Sequence, residues 1–112
     1  MRMWMVDPKC MCDKHLLGEH VELHMFIGTI KKGVSLQGYV DNGLIETKKI
    51  YVRHNELVAE MERRGMKHKS PLPNVNFEKL PKAHFDATVS VEESLAELQR
   101  RCPACHEKIT AR

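Results

Sequence analysis

The sequence predicts an all-α fold, a compact three-helix single domain with long connecting loops, on three observations. Apolar residues recur at helical spacing in three separate stretches, and glycine or proline punctuates the ends of those stretches. No segment alternates apolar with polar residues cleanly enough to demand a strand. A length of 112 residues suits one core and is too short for two, so residues 1–112 are expected to form one domain.

Composition narrows the functional classes. With 42% hydrophobic and 29% charged residues, and no apolar run near the roughly 18 residues that suggest a membrane span, no membrane partner is expected. The opening MRMWMVDP has no apolar stretch followed by small residues, which predicts no signal peptide and a cytoplasmic location. A net charge of +3 with seven histidines counted neutral permits nucleic-acid binding without requiring it. The four cysteines fall into two close pairs, Cys10/Cys12 and Cys102/Cys105, and in a reducing compartment such pairs point to metal or redox chemistry before disulfides.

Residues 1–12 form an N-terminal arm. Met3, Trp4, Met5 and Val6 are too apolar to leave in water, at about 25 cal/mol per Å², and Asp7-Pro8 turns the chain toward the first helix. That helix runs from Asp13, a candidate N-cap, to Gly33 at the C′ position after Lys31 and Lys32. At 100° per residue, Leu16, Leu23, Phe26, Ile27 and Ile30 share one apolar face. Glu19 falls inside that face, and His15, Glu19 and Glu22 form a column at i, i+4, i+7, while His20 and His24 form a second. A carboxylate beside apolar side chains needs a partner, as a structural pair with a histidine or backbone group or as a perturbed active-site acid. Gly28, inside the helix, suggests close packing against another backbone.

Val34 to Ile50 carries turn signals at Gly38 and Asp41-Asn42-Gly43, which allow a small β-hairpin between helices 1 and 2. The second helix is expected from about Lys49 to Arg64, stopping at Gly65. Ile50, His54, Leu57, Val58 and Met61 make its apolar face, and Arg53, Glu56, Glu60 and Arg64 its wet one. His54 on the apolar face fits a hydrogen-bonded core histidine better than a ligand. Met66 to Val89, with Pro71, Pro73 and Pro81, is expected to be a long wrapping loop carrying the basic Lys67, His68 and Lys69. The third helix starts at a capping box, Ser90 with Glu93. It buries Val91, Leu95, Leu98 and Cys102 and ends at Pro103.

Three blocks of these residues resemble the phage-type pyrimidine-dimer DNA glycosylase/AP lyase family, the dimer-specific endonuclease V. They are Met1-Arg2 with His15-Leu16, Glu19, Glu22 and Leu23; Arg53, Glu56-Leu57-Val58-Ala59-Glu60 and Arg64-Gly65; and the Ser90 to Arg101 helix. The resemblance implies an all-α domain whose free N-terminal amine, inserted beside helix one, is the nucleophile, completed by a carboxylate at Glu22. Arg2 is expected to retain the initiator methionine, so the amine is that of Met1. His15 and Glu19 would support the site and Arg2 would hold a phosphate. The implied partner is double-stranded DNA carrying a damaged base or abasic site, met in a bacterial or phage-infected cell by a monomer, with no cofactor required for catalysis.

Where the family has arginines on helix one this chain has Val21 and Met25, and on helix three Glu93 and Glu97 replace basic residues. The phosphate contacts therefore fall to Arg53, a residue of the matched block, and to Arg63, Arg64, Lys67, Lys69, Arg100 and Arg101. The family's aromatic tail gives way to Cys102-Pro103-Ala104-Cys105-His106. The CPAC sequence has the form of a zinc knuckle. Cys10 and Cys12 are candidates for the other two ligands of a structural zinc, with His106 or a helix-one histidine as the alternative fourth. The bland reading makes Cys102 a small core residue and the other thiols incidental.

Two further classes stay open. One is a non-catalytic, zinc-stabilised nucleic-acid-binding module. The other is a metallohydrolase using His15, Glu19, His20 and His24, disfavoured because no HExxH motif is present and the two columns diverge by roughly 140° on a helical wheel.

Overall fold

Helix α1 (Asp13–Lys31) is the spine of the structure, a computed structural model that describes residues 1–68 and 70–111. Its predicted apolar face is the buried one: Leu16, Leu23 and Phe26 are 0% exposed and Ile27 and Ile30 nearly so. The helix begins one residue earlier than a cap at Asp13 would give, with Cys12 at the N-cap, and it ends at Gly33, whose φ of +73° a β-carbon would strain.

Six helices form where three were expected, and no strand occurs among the described residues. The correction falls first on the segment read as a hairpin, which holds α2 (Gln37–Asp41) and a single 3-10 turn, Thr47–Lys49. Leu36, Tyr39 and Val40 stand at i, i+3, i+4, a helical spacing, and this turn of helix sets the Tyr39 ring edge-on to Phe26, 5.1 Å between centres. Gly43, at φ +65°, ends it.

Helix α3 (Ile50–Arg63) lies against α1 and stops at Gly65 as predicted. The long loop after it contains one short helix, α4 (Lys82–Phe85). Ser90 caps α5 (Val91–Arg101), its Oγ accepting the Glu93 N–H at 3.3 Å. Pro103 does end α5, and it also opens a further helix, α6 (Pro103–Thr110), because proline is tolerated in the first helical turn, where its missing N–H has no partner to lose. Val91, expected in the buried stripe of α5, is half-exposed.

The arm is packed along its length. Met3, Trp4, Val6 and Met11 are at most 3% exposed, and the Met3 N–H donates to the Leu44 carbonyl at 2.7 Å. A 3-10 turn at Pro8–Cys10 then passes between α3 and α6. The arm is thereby fixed against two helices and the loop after α2. Among the described residues no helix is long and apolar enough to cross a membrane.

Candidate functional site

The first two residues sit where α1 and α5 meet the arm. Glu22 Oε2 accepts the backbone N–H of Arg2 at 3.2 Å, so the acid lies at the first peptide bond, and the N-terminal charge acts on it. Burial pushes the Glu22 acid up, against the Arg2 N–H and the N-terminal charge, which pull it down. Met1 is half-buried. Arg2 stacks on Trp4, its Cζ 3.8 Å from the ring, and donates from Nη2 to Ser94 Oγ at 2.6 Å. Its Nε is buried without a partner, and burial together with Arg101 lowers its basicity. Met5 takes a left-handed φ of +58°, a conformation costing about 1 kcal/mol or more, between Trp4 and Val6, which are both buried. Beside Arg2 a cleft of about 420 Å³ opens, walled by Asn42, Gly43, Ser90, Ser94 and Glu97. A larger depression between the end of α1 and the Asn74–Pro81 loop contains none of the expected site residues.

Glu19 has different surroundings from its neighbour in the column. Both its oxygens are held by Arg53, from Nε at 2.6 Å and Nη2 at 2.9 Å. Arg53 Nη1 donates to the Val6 carbonyl at 2.7 Å, and each of the two side chains is about 1% exposed. The partner of Glu19 is therefore an arginine, where a histidine or a backbone group was expected. Arg53 cannot reach DNA, which corrects its place among the phosphate-contacting residues. It lies on the buried stripe Ile50, Arg53, His54, Leu57, Glu60, Met61, at i, i+3, i+4, i+7, i+10, i+11. A reading of that period without regard to polarity would have found it.

The other basic candidates divide. Arg64 is largely buried, pairing with Glu60 at 2.7 Å and Asp13 at 2.9 Å and donating to the Met11 carbonyl at 2.7 Å, so it fastens the arm to α3 and is also withdrawn from the DNA-facing set. Glu60, expected on the wet face, is buried, and hydrogen bonds from Arg63 and Arg64 hold its carboxyl down at about 2 despite burial. Arg63 and Lys67 are exposed. Arg100 and Arg101 are exposed and share Glu97, and Arg101 also lies over Trp4, at 5.4 Å. Lys69 lies outside the described residues. Val21 and Met25, in the positions of the family's helix-one arginines, are 54% and 50% exposed.

The thiols gather with His15. Cys12 Sγ is 3.3 Å and Cys105 Sγ 3.6 Å from His15 Nδ1, and Cys12 and Cys102 sulfurs are 3.9 Å apart. A tetrahedral zinc with bonds of about 2.3 Å to sulfur and about 2.0–2.1 Å to nitrogen has edges of about 3.6–3.8 Å, so these four residues fit the ion. Backbone N–H groups already point at two of the sulfurs, Cys12 N–H at Cys105 Sγ (3.2 Å) and Cys105 N–H at Cys102 Sγ (3.4 Å). Burial raises the Cys105 thiol to about 12, while N–H and S–H donors bring the Cys102 thiol down against burial. The cluster is compatible with a structural zinc. Cys10 is not among its members and His15 is, and His106 is exposed outside it. His15, set edge-on to Trp4 at 5.8 Å, thus faces the thiols, and burial lowers its basicity.

The sequence model described as pyrimidine dimer DNA glycosylase matches residues 1–74, about two thirds of the chain. The match holds the arm, α1, α2 and α3 and excludes α5 and α6, so the third block of the resemblance, Ser90 to Arg101, and the thiols of Cys102 and Cys105 lie outside it. No curated protein and no solved structure matches the chain.

Proposed function

The chain belongs to the pyrimidine dimer DNA glycosylase family, and from that premise we propose that residues 1–112 act as one domain with glycosylase and AP lyase activity on damaged or abasic duplex DNA. The observation that carries the reading is the seat of Glu22 at the first peptide bond, where it accepts the N–H of Arg2, a residue that borders an open cleft. An α-amine has a pKa near about 7.7–8.0, so a useful fraction is neutral at physiological pH without help, where a lysine would need a large shift.

The Met1 amine attacks C1′ of the damaged nucleotide, the glycosidic bond breaks, and the base leaves with a proton. The C1′–O4′ bond of the resulting aminal then breaks, O4′ taking a proton, which leaves an imine on the opened sugar. Removal of a C2′ proton then expels the 3′-phosphate oxygen, cutting the strand, and water returns the free amine. Glu22 stabilises the cationic sugar and moves the protons. Glu19 and Arg53 support the site from behind by fixing α1 against α3 and the arm. Arg2, Arg63, Lys67, Lys69, Arg100 and Arg101 are the candidates for phosphate contact. A zinc ion on Cys12, His15, Cys102 and Cys105 would tie the arm to α6, a structural role that replaces packing by a tail. Reaching the target by distorting the duplex and flipping a nucleotide implies a bent DNA complex.

The alternative, a zinc-stabilised nucleic-acid-binding module without catalysis, draws on the position of Cys102 and Cys105 outside the family match. A short N-terminal extension separates the two. It should abolish cleavage of an abasic-site duplex while leaving DNA binding within a few-fold, and wild-type protein with a free terminus that binds but does not cleave would favour the binding module.

A further inference from the structure

Four histidines that take no part in the chemistry above meet at one point. His20 and His24 come from the second column of α1, His54 from α3, and His68 from the loop that follows it. Each offers a ring nitrogen, and the four nitrogens lie within 4.8 Å of one another. His20 and His54 are 8% and 5% exposed. His20 Nε2 and His24 Nε2 are buried with no hydrogen-bond partner, a costly state for an imidazole nitrogen unless something else occupies its lone pair or takes its proton. The Ser70 carbonyl oxygen takes up Nε2 of both His54 (3.3 Å) and His68 (2.9 Å), which draws the loop backbone into the same cluster.

Ring spacing discriminates between stacking and ligation. Imidazoles bound to one tetrahedral ion at about 2.0–2.1 Å have ring centres about 3.2 Å from it and so about 5.2 Å from each other. The observed separations are 4.9 Å for His20–His24, 4.9 Å for His20–His54, 4.8 Å for His20–His68, 5.4 Å for His24–His54 and 5.1 Å for His54–His68. Ring planes cross at 33° to 90°, so no pair is stacked face to face. His54, expected to be a core histidine, is one corner of this group.

We propose that His20, His24, His54 and His68 form a second metal site, for a divalent transition ion of the zinc class, which pins the loop after α3 to the α1–α3 pair. Four uncharged nitrogen donors without a carboxylate suit Zn²⁺, Co²⁺, Ni²⁺ or Cu²⁺ and disfavour Mg²⁺ and Ca²⁺. Four protein ligands close the coordination shell, so the role is structural. The proposal goes beyond the DNA reading and stands whether or not the chain cleaves DNA.

The test is titration of untagged, metal-free full chain with Co²⁺ alone, followed by optical spectroscopy and native mass spectrometry. Two equivalents are expected, one with thiolate-to-cobalt charge transfer and one with ligand-field bands only. The double variant H24Q/H68Q, changed at the two half-buried members, should lose the second equivalent and keep the thiolate signature, which also reports that it has folded. C102S/C105S should do the converse. A single equivalent that carries the thiolate signature, or a ligand-field-only equivalent that survives H24Q/H68Q, would overturn the assignment.

Discussion

Glu19 and Glu22 stand less than one turn apart on α1 and meet opposite surroundings. Glu19 is 1% exposed, with Arg53 on both oxygens. Glu22 is half-buried, accepts the Arg2 N–H, and feels the charge of the N-terminal amine. A carboxylate whose lone pairs are taken by a guanidinium is scaffold, however deeply it lies in the core. One placed at a chain terminus, partly desolvated and with acceptor capacity left, is equipped for proton transfer. Burial alone does not tell the two apart.

The sharpest way to break this contrast is to remove each charge in turn. Glu22→Gln is expected to cut abasic-site cleavage by about 10²–10⁴-fold while changing the unfolding free energy by less than about 1 kcal/mol. Glu19→Gln is expected to do the reverse, destabilising by about 3–5 kcal/mol because Arg53 is left charged and unmatched in the core, as urea unfolding would measure. Equal effects of the two substitutions on stability would erase the distinction.

The pair Glu60 with Arg63 and Arg64 sharpens it from outside the column. The folded Glu60 carboxyl is held at about 2, below its ordinary 4.5, so the unfolded chain takes up the proton first. Its contribution of about 2–3 kcal/mol is fully present above about pH 5 and is lost as pH falls from about 4.5 to about 2. Comparing acid unfolding of wild type and Glu60→Gln should show the variant's stability flatter across that window. The smallest effect belongs to Gly28. A β-carbon added there meets nothing within 4 Å, which corrects the close-packing expectation. Gly28→Ala should therefore stabilise α1 by about 0.5–1 kcal/mol, visible as a rise in melting temperature.

What was legible in the sequence was local. Gly33, Gly65 and the Ser90 cap mark helix ends through backbone requirements that a few neighbouring residues determine, and the apolar face of α1 follows from its period. The polar residues of α3 were misplaced because an arginine at a buried position has no local signature. Arg53 is buried only because Glu19 and the arm supply partners, 34 and 47 positions away in sequence. The choice of His15 over Cys10 for the thiol cluster likewise depends on how α6 returns to the arm. His20 and His24 were visible as a column, but His68 sits in a loop without periodicity, and only the folded chain brings it to them. Pro103 ends one helix as expected, and it begins the next because the first helical turn tolerates proline.

Borohydride trapping on an abasic-site duplex with untagged protein, followed by peptide mass spectrometry, reads out directly whether the N-terminal amine forms an imine. A covalent adduct is expected on the Met1 α-amine, lost or slowed with Glu22→Gln and retained, in the folded fraction, with Glu19→Gln. An adduct on a lysine, or none from protein whose N-terminus is shown to be free, would contradict it.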